Sequence, residues 1–182
     1  NPIAKMFGAM FREPYPADVH PVTRAPNEAG MRYGEHLLPV GVKVPGLASP
    51  MMVYPYERTR ETLIKLARLG PVDPRHGVKL RYANPATGGY PFPTLAVFIQ
   101  WLPSGFQGAS YRATDGMIYC VVEGRGRVRF GGETWDFEPH DIFVAPSWAE
   151  YSLEAEGECI LFSYSDRAAQ EALGFWRESR PQ

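Results

Sequence analysis

With 182 residues, 45% of them hydrophobic, and ten Phe, ten Tyr and four Trp, the chain has material for one packed domain plus an arm. A formal net charge of −1, from 19 Lys and Arg against 20 Asp and Glu, excludes the broad cationic footprint of a nucleic-acid or anionic-membrane binder. The uncharged apolar runs, such as Thr94–Leu102, are strand-sized and fall short of the roughly 20 residues a bilayer span requires. No basic segment followed by an apolar stretch is visible as a signal peptide, and the two cysteines, read as free thiols, point to a reducing cytoplasm. The chain begins at Asn1 rather than Met, which we read as the mark of a processed, cleaved or truncated product.

Residues 1–57 form the first unit. Pro2, Pro14, Pro16, Pro21, Pro26, Pro39, Pro45, Pro50 and Pro55 rule out a long regular element. Met6, Phe7, Met10, Phe11, Tyr15, Tyr33, Leu37, Leu38, Met51, Met52 and Tyr54 give the segment more apolar surface than a solvated linker carries. The pattern predicts an extended arm that lies on another surface: this barrel, a missing domain or a neighbouring subunit. Residues 58–93 follow as a helix and connecting loops. The helix is predicted over Thr59–Leu69, with Thr59 as its cap, Leu63, Leu66 and Ala67 as its apolar stripe, and Gly70-Pro71 as its stop. Asp73–Gly77 and Asn84–Gly89 read as loops.

From residue 94 to 182 the rhythm is that of short strands with turns every eight to twelve residues, as in an all-β sandwich or barrel. Strands are predicted at Thr94–Trp101, apolar on both faces, Met117–Val122, Arg127–Phe130, Glu133–Phe137, Asp141–Ala145, Tyr151–Leu153 and Cys159–Tyr164. Gly131-Gly132 makes the third and fourth a hairpin with a two-residue turn. Ser165 or Asp166 then caps a short final helix through Ala169, Ala172 and Leu173. Cys120 and Cys159 are expected as buried free thiols in strands rather than a disulfide or metal pair.

Two blocks carry chemistry in related barrels. Gly108–Gly126 resembles the first motif of a cupin, and Pro139–Trp148 the second. The fold class expected is therefore all-β: a cupin double-stranded β-helix, or jelly-roll barrel, with an extended N-terminal arm and short flanking helices. Metal-binding cupins take a His-x-His pair from the first motif, since strand residues two apart point the same way, and a third His after the second motif. Here those vestigial ligand positions hold Tyr111, Ala113 and Tyr151. A phenol binds iron only after losing a proton from a group of pKa about 10, and Ala113 donates nothing. The histidines, His20, His36, His76 and His140, do not stand at ligand spacing, and His140 occupies a tight turn where cupins commonly have Gly. No metal, catalytic or cofactor residue is expected in this chain.

The resemblance extends along the chain to one family. Glu13-Pro-Tyr-Pro16, Pro21-Val-Thr-Arg24, Arg32-Tyr-Gly34, Leu38-Pro-Val40, Tyr54-Pro-Tyr56, Arg58–Leu63, Gly77–Gly89, Leu102–Phe106, Val121–Gly126, Phe162–Arg167 and Leu173–Arg177 occur in the order found in the C-terminal half of gentisate 1,2-dioxygenase and its salicylate- and hydroxynaphthoate-cleaving relatives. These are bicupins. The resemblance implies that Fe(II), held by three His of an N-terminal cupin half absent from this sequence, binds the 2-hydroxy-carboxylate and O2. It implies opening of the ring between the carboxylate- and hydroxyl-bearing carbons, giving maleylpyruvate from gentisate. It implies that this half scaffolds the other, is inactive alone, and sits in a homotetramer, with no nucleic acid or membrane as partner. A second reading is a stand-alone retired cupin that holds a small apolar ligand.

Smaller features have plainer readings. Arg112, Arg125, Arg127 and Arg129 suggest an anion patch but read better as solvated-face arginine. Gly124-x-Gly126 lacks the third Gly and the helix of a phosphate loop, so it is a turn. Trp148 is expected in the core at the barrel mouth, and Asp141 as a turn-ordering residue.

Overall fold

The computed structural model describes residues 21–179 apart from His36, Val42, Pro45, Leu47 and Met52. The expectations for Met6, Phe7, Met10, Phe11, Tyr15, Met52, His20 and His36 lie outside the described residues.

Two antiparallel sheets face each other. One has five strands in the order β1 (Val78–Arg81), β2 (Ala96–Leu102), β8 (Cys159–Ser165), β3 (Met117–Glu123) and β6 (Ile142–Ala145). The other has three, β5 (Glu133–Phe137), β4 (Gly126–Phe130) and β7 (Tyr151–Ala155). The strands predicted from residue 94 onward are all present. Strand β1 is an addition, between two segments correctly read as loops. The β4–β5 turn holds two residues, with Phe130 paired to Glu133, and Gly131 supplies the positive φ that the first turn position of a type II′ hairpin requires.

Alternation explains the core. On β2, Ala96, Phe98, Gln100 and Leu102 are buried and point between the sheets, while Ile99 is buried on the opposite face. That second burial comes from α2 (Tyr56–Ala67), whose fully buried Leu63 packs on Ile99 and Ile160, with Val78, Leu80 and Trp101 around them. Both faces of β2 are thus covered, as its sequence foretold. The helix is fastened at one end by Glu123 on β3, which accepts bonds from Tyr56 Oη at 2.5 Å and from Arg60 Nε at 3.0 Å.

Several details differ from expectation. Helix α2 begins three residues before Thr59, with Pro55 in the preceding position. Thr59 bonds back to the Pro55 carbonyl at 3.1 Å and is not a cap. Leu66 is exposed, because only the Leu63 side of the helix meets the sheet. A short helix α1 (Glu28–Tyr33) fits between Pro26 and Pro39. The last helix, α3 (Arg167–Ala172), has Asp166 at its start, and the Ser165 hydroxyl accepts the Arg167 N–H at 3.3 Å. Asp166 instead ties Gly116 N to α3 by accepting also from Gln170 Nε2. Trp148 is exposed at a positive φ of 61°, with the Arg112 guanidinium 4.9 Å from its ring centre; it is not a core residue.

The remaining arginines are paired: Arg125 with Glu138, Arg127 with Asp136 and Glu156, and Arg129 with Glu154. They form a solvated ionic face on the three-stranded sheet and its rim. Asp141 orders its turn by accepting the Glu138 N–H at 2.9 Å, and His140 holds a φ of 79° there. Gly124, at φ 84°, turns the chain from β3 into β4. Cys120 and Cys159 are free, and burial pushes the Cys159 thiol up to about 12.

At the β6 end, the outward face of the larger sheet is not covered. Ile142 and Val144 are 69% and 52% exposed, and they register with Cys120 and Ile118 of β3 on that same face. In the arm, Val22, Met31, Leu37, Val40 and Val53 are exposed as well. From Ser49 the chain ties onto the loops before β2: Ser49 N donates to Pro91 O at 2.6 Å, and Tyr54 Oη to Ala83 O at 2.9 Å.

Candidate functional site

The three positions singled out from the cupin motifs meet inside the barrel. Tyr111 and Tyr151 exchange both backbone hydrogen bonds at 2.9 Å and place their ring centres 6.0 Å apart. Ala113 is buried beside them, and its carbonyl accepts the Trp148 N–H at 2.7 Å. The sequence brought these positions into view. Motif reasoning missed the residues that surround them. Tyr119 on β3 shares a 2.7 Å hydrogen bond between its hydroxyl and that of Tyr151, and stacks on Phe143. Tyr111 donates to Glu178 at 3.2 Å, and the His76 ring meets its edge at 4.4 Å between centres. Asp115 accepts Trp176 Nε1 at 2.8 Å. Lys79 points into the same interior, its Nζ 4.9 Å from the Phe98 ring centre and 5.5 Å from that of Tyr119.

Lys79 was hidden by an ordinary rule. Val78-Lys79-Leu80-Arg81 alternates, and alternation normally sends the charges to solvent. Here the apolar side of β1 packs under α2, so the opposite side, with Lys79, turns into the barrel.

Electrostatics decide what this set can hold. Burial raises the phenols of Tyr111, Tyr119 and Tyr151 well above their ordinary value, and the Glu178 carboxylate raises Tyr111 further. All three stay protonated and offer no phenolate. Burial lowers Lys79 to about 8 and His76 to about 3. The interior therefore presents hydroxyls, a neutral imidazole and an ammonium at neutral pH. An ammonium in the barrel, protonated phenols and a methyl group at the remaining position do not fit Fe(II), which needs anionic or neutral nitrogen and oxygen donors. Among the described residues, no group of three or more His, Cys, Asp or Glu stands together as a metal site.

The neutral His76 gives a pH-dependent term. Its folded value lies below the ordinary 6.5, so the unfolded chain binds the proton first. The stability it supports is present above pH 6.5 and is lost as pH falls toward about 3. Urea unfolding at pH 7 and pH 4.5 is expected to show a loss that H76Q reduces by on the order of 1–2 kcal/mol. Equal losses in the two proteins would mean that His76 titrates normally.

The doubly faced jelly roll, with its two motif blocks at the barrel centre, defines a cupin-type β-barrel. A salicylate 1,2-dioxygenase from Pseudaminobacter salicylatoxidans superposes with a TM-score of 0.86 at 32% identity, over 98% of this chain and 52% of that one. In sequence, the chain is 44% identical over 179 residues to gentisate 1,2 dioxygenase 1 of Aquipseudomonas alcaligenes, covering 98% of this chain and 52% of the relative. It is 31% identical over 180 residues to a 1-hydroxy-2-naphthoate 1,2-dioxygenase of Nocardioides, covering 97% of this chain and 46% of the relative. No protein-family model matches. The chain belongs to the gentisate 1,2-dioxygenase family, and it spans about half the length of the curated relatives it matches. Among the described residues, no helix is long and apolar enough to cross a membrane.

Proposed function

We propose that this chain is the C-terminal, non-metal-binding half of a gentisate 1,2-dioxygenase-like enzyme that opens the ring of a 2-hydroxybenzoate-type acid with O2. Its part is to scaffold an iron-bearing N-terminal cupin half and the homo-oligomer, and it is inactive alone. The iron belongs with that other half, because Tyr111, Ala113 and Tyr151 are retired ligand positions. Units 1–57, 58–93 and 94–182 serve as arm, connector and barrel.

The observation that carries the reading is the bare apolar surface. An antiparallel sheet normally keeps one face polar when that face meets water. Here the outward face of β6 and β3 presents Ile142, Val144, Ile118 and Cys120, and the arm adds Val22, Met31, Leu37 and Val40. Apolar surface of this kind marks a place where protein docks.

Two measurements test this. The purified chain with gentisate and ferrous iron is expected to consume no oxygen, and addition of the complementary half is expected to restore uptake. Turnover by the chain alone would overturn the assignment. Separately, I142D/V144D is expected to shift the melting temperature of the isolated chain by less than the equivalent of about 0.5 kcal/mol, since both sites are exposed. The same pair should disrupt assembly of the whole enzyme, seen as a smaller particle or aggregate by light scattering. An unchanged assembly would remove this face from the interface.

A further inference from the structure

Three phenols share the barrel interior, and packing alone does not call for their hydroxyls. Tyr111, Tyr119 and Tyr151 are 6%, 0% and 5% exposed. Tyr151 stands in the middle, its ring centre 6.0 Å from that of Tyr111 and 6.1 Å from that of Tyr119. Phenylalanine would fill the same space without burying a polar group. The hydroxyls of Tyr119 and Tyr151 are bonded to each other at 2.7 Å. Tyr111 differs, because its hydroxyl donates to a carboxylate, Glu178 Oε2, at 3.2 Å.

That difference matters for electron loss. An oxidised phenol is a strong acid, so a phenol gives up an electron readily only when a base in hydrogen-bond reach takes its proton. Glu178 is such a base for Tyr111. Among the described residues, Tyr119 and Tyr151 offer each other only a hydroxyl, which is a poor base. Nearby charges do not reverse the preference. The Arg75 guanidinium is 5.9 Å from the Tyr111 ring centre and Lys79 Nζ is 5.5 Å from that of Tyr119, so each end of the row has a cation at similar range. The Asp115 carboxylate acts on all three phenols in the same sense. The neighbouring indoles are poorer places for a missing electron. Trp176, which donates to Asp115, has the Arg167 guanidinium 3.7 Å from its ring centre, and Trp148 has that of Arg112 at 4.9 Å. A cation so close opposes the loss of an electron.

We propose that Tyr111 is a redox-active tyrosine that takes up stray oxidising equivalents, with Glu178 as its proton acceptor. A one-electron oxidant of the hydroxyl- or peroxyl-radical class removes an electron from the phenol and becomes its own anion. The Tyr111 O–H bond breaks, the proton passes to Glu178 Oε2, and a neutral phenoxyl radical remains. A hole that starts on Tyr119 or Tyr151 is filled by an electron from Tyr111 through the ring contacts. Burial keeps other molecules from the phenoxyl oxygen, so this radical outlives those on exposed tyrosines. The benefit to the protein rests on the reading above that the whole enzyme uses O2, whose incomplete reduction releases such oxidants.

The test oxidises the intact protein that carries this chain with azide radical from a radiolysis pulse, without substrate, and follows frozen samples by electron paramagnetic resonance. A tyrosyl signal that persists after the radicals on exposed side chains have decayed is expected. Its hyperfine structure should collapse when ring-deuterated tyrosine is incorporated. Y111F is expected to abolish the persistent signal. E178Q keeps an acceptor for the Tyr111 hydroxyl but removes the base, and should lower the yield by about tenfold or more. Because E178Q leaves the phenol and its hydrogen bond in place, that loss is not the mark of a collapsed barrel. Y119F keeps both Tyr111 and Glu178 and is expected to keep the signal. No persistent signal in the wild type, an unchanged signal in Y111F or E178Q, or its loss in Y119F would overturn the proposal. The oxidant is supplied from outside, so a failure here leaves the oxygen-uptake test of the enzyme reading untouched.

Discussion

Gly126→Ala is expected to destabilise the barrel by about 3 kcal/mol or more, lowering the melting temperature by roughly 6–12 °C. Gly126 opens β4 between Phe137 of β5 and Ala155 of β7. A methyl group there would stand 2.0 Å from the Glu154 carbonyl oxygen and 2.8 Å from Phe137 Cζ. The first neighbour is backbone of the central ladder and cannot swing aside. The second belongs to a ring stacked on Phe143 at 5.4 Å between centres, which in turn stacks on Tyr119. The clash is therefore passed into the barrel interior. Gly132→Ala is the control, because nothing lies within 4 Å of its added carbon, and its effect should stay within about 0.5 kcal/mol. Thermal unfolding of both variants checks the difference, and similar melting temperatures would show that the β4 strand yields more easily than its neighbours imply.

Leu63→Ala is expected to cost about 2–5 kcal/mol, the range for emptying a buried leucine site. Leu63 is fully buried, and it is the side chain by which α2 grips Ile99 and Ile160. Its removal leaves the helix held at the Glu123 end by Tyr56 and Arg60, both toward its start. Hydrogen exchange should accelerate first in the second half of α2 and in β1, whose Val78 and Leu80 share that cluster. Leu66→Ala, one turn further on and exposed, should change stability by less than about 1 kcal/mol. If L63A protected α2 as well as the wild type, the cluster would not be what holds the helix to the sheet.

The alternation of residues 94–165 was legible because strand period and turn chemistry are local properties. Gly131-Gly132 and Pro139-His140-Asp141 need no distant partner to make a turn, and Thr94–Trp101 announced its two covered faces by being apolar throughout. The motif spacing likewise placed Tyr111, Ala113 and Tyr151 together, since residues two apart on a strand share a face. Strand β1 was not legible. Four residues with two charges carry no strong period, and they become a strand only because the edge of β2 offers them hydrogen bonds. Which of their faces turned inward was settled by α2, a helix that claims Val78 and Leu80 and so sends Lys79 into the barrel. Trp148 went the other way, outward onto Arg112, because its backbone φ of 61° aims the side chain away from the core. The start of α2 depended on Tyr56 reaching Glu123, 67 residues away in the chain. Local pattern thus determined the strands from residue 94 onward, the hairpin and the meeting of Tyr111, Ala113 and Tyr151. The inward lysine and the bare face of β6 were decided by tertiary packing, because each depends on which neighbour covers which side of a strand.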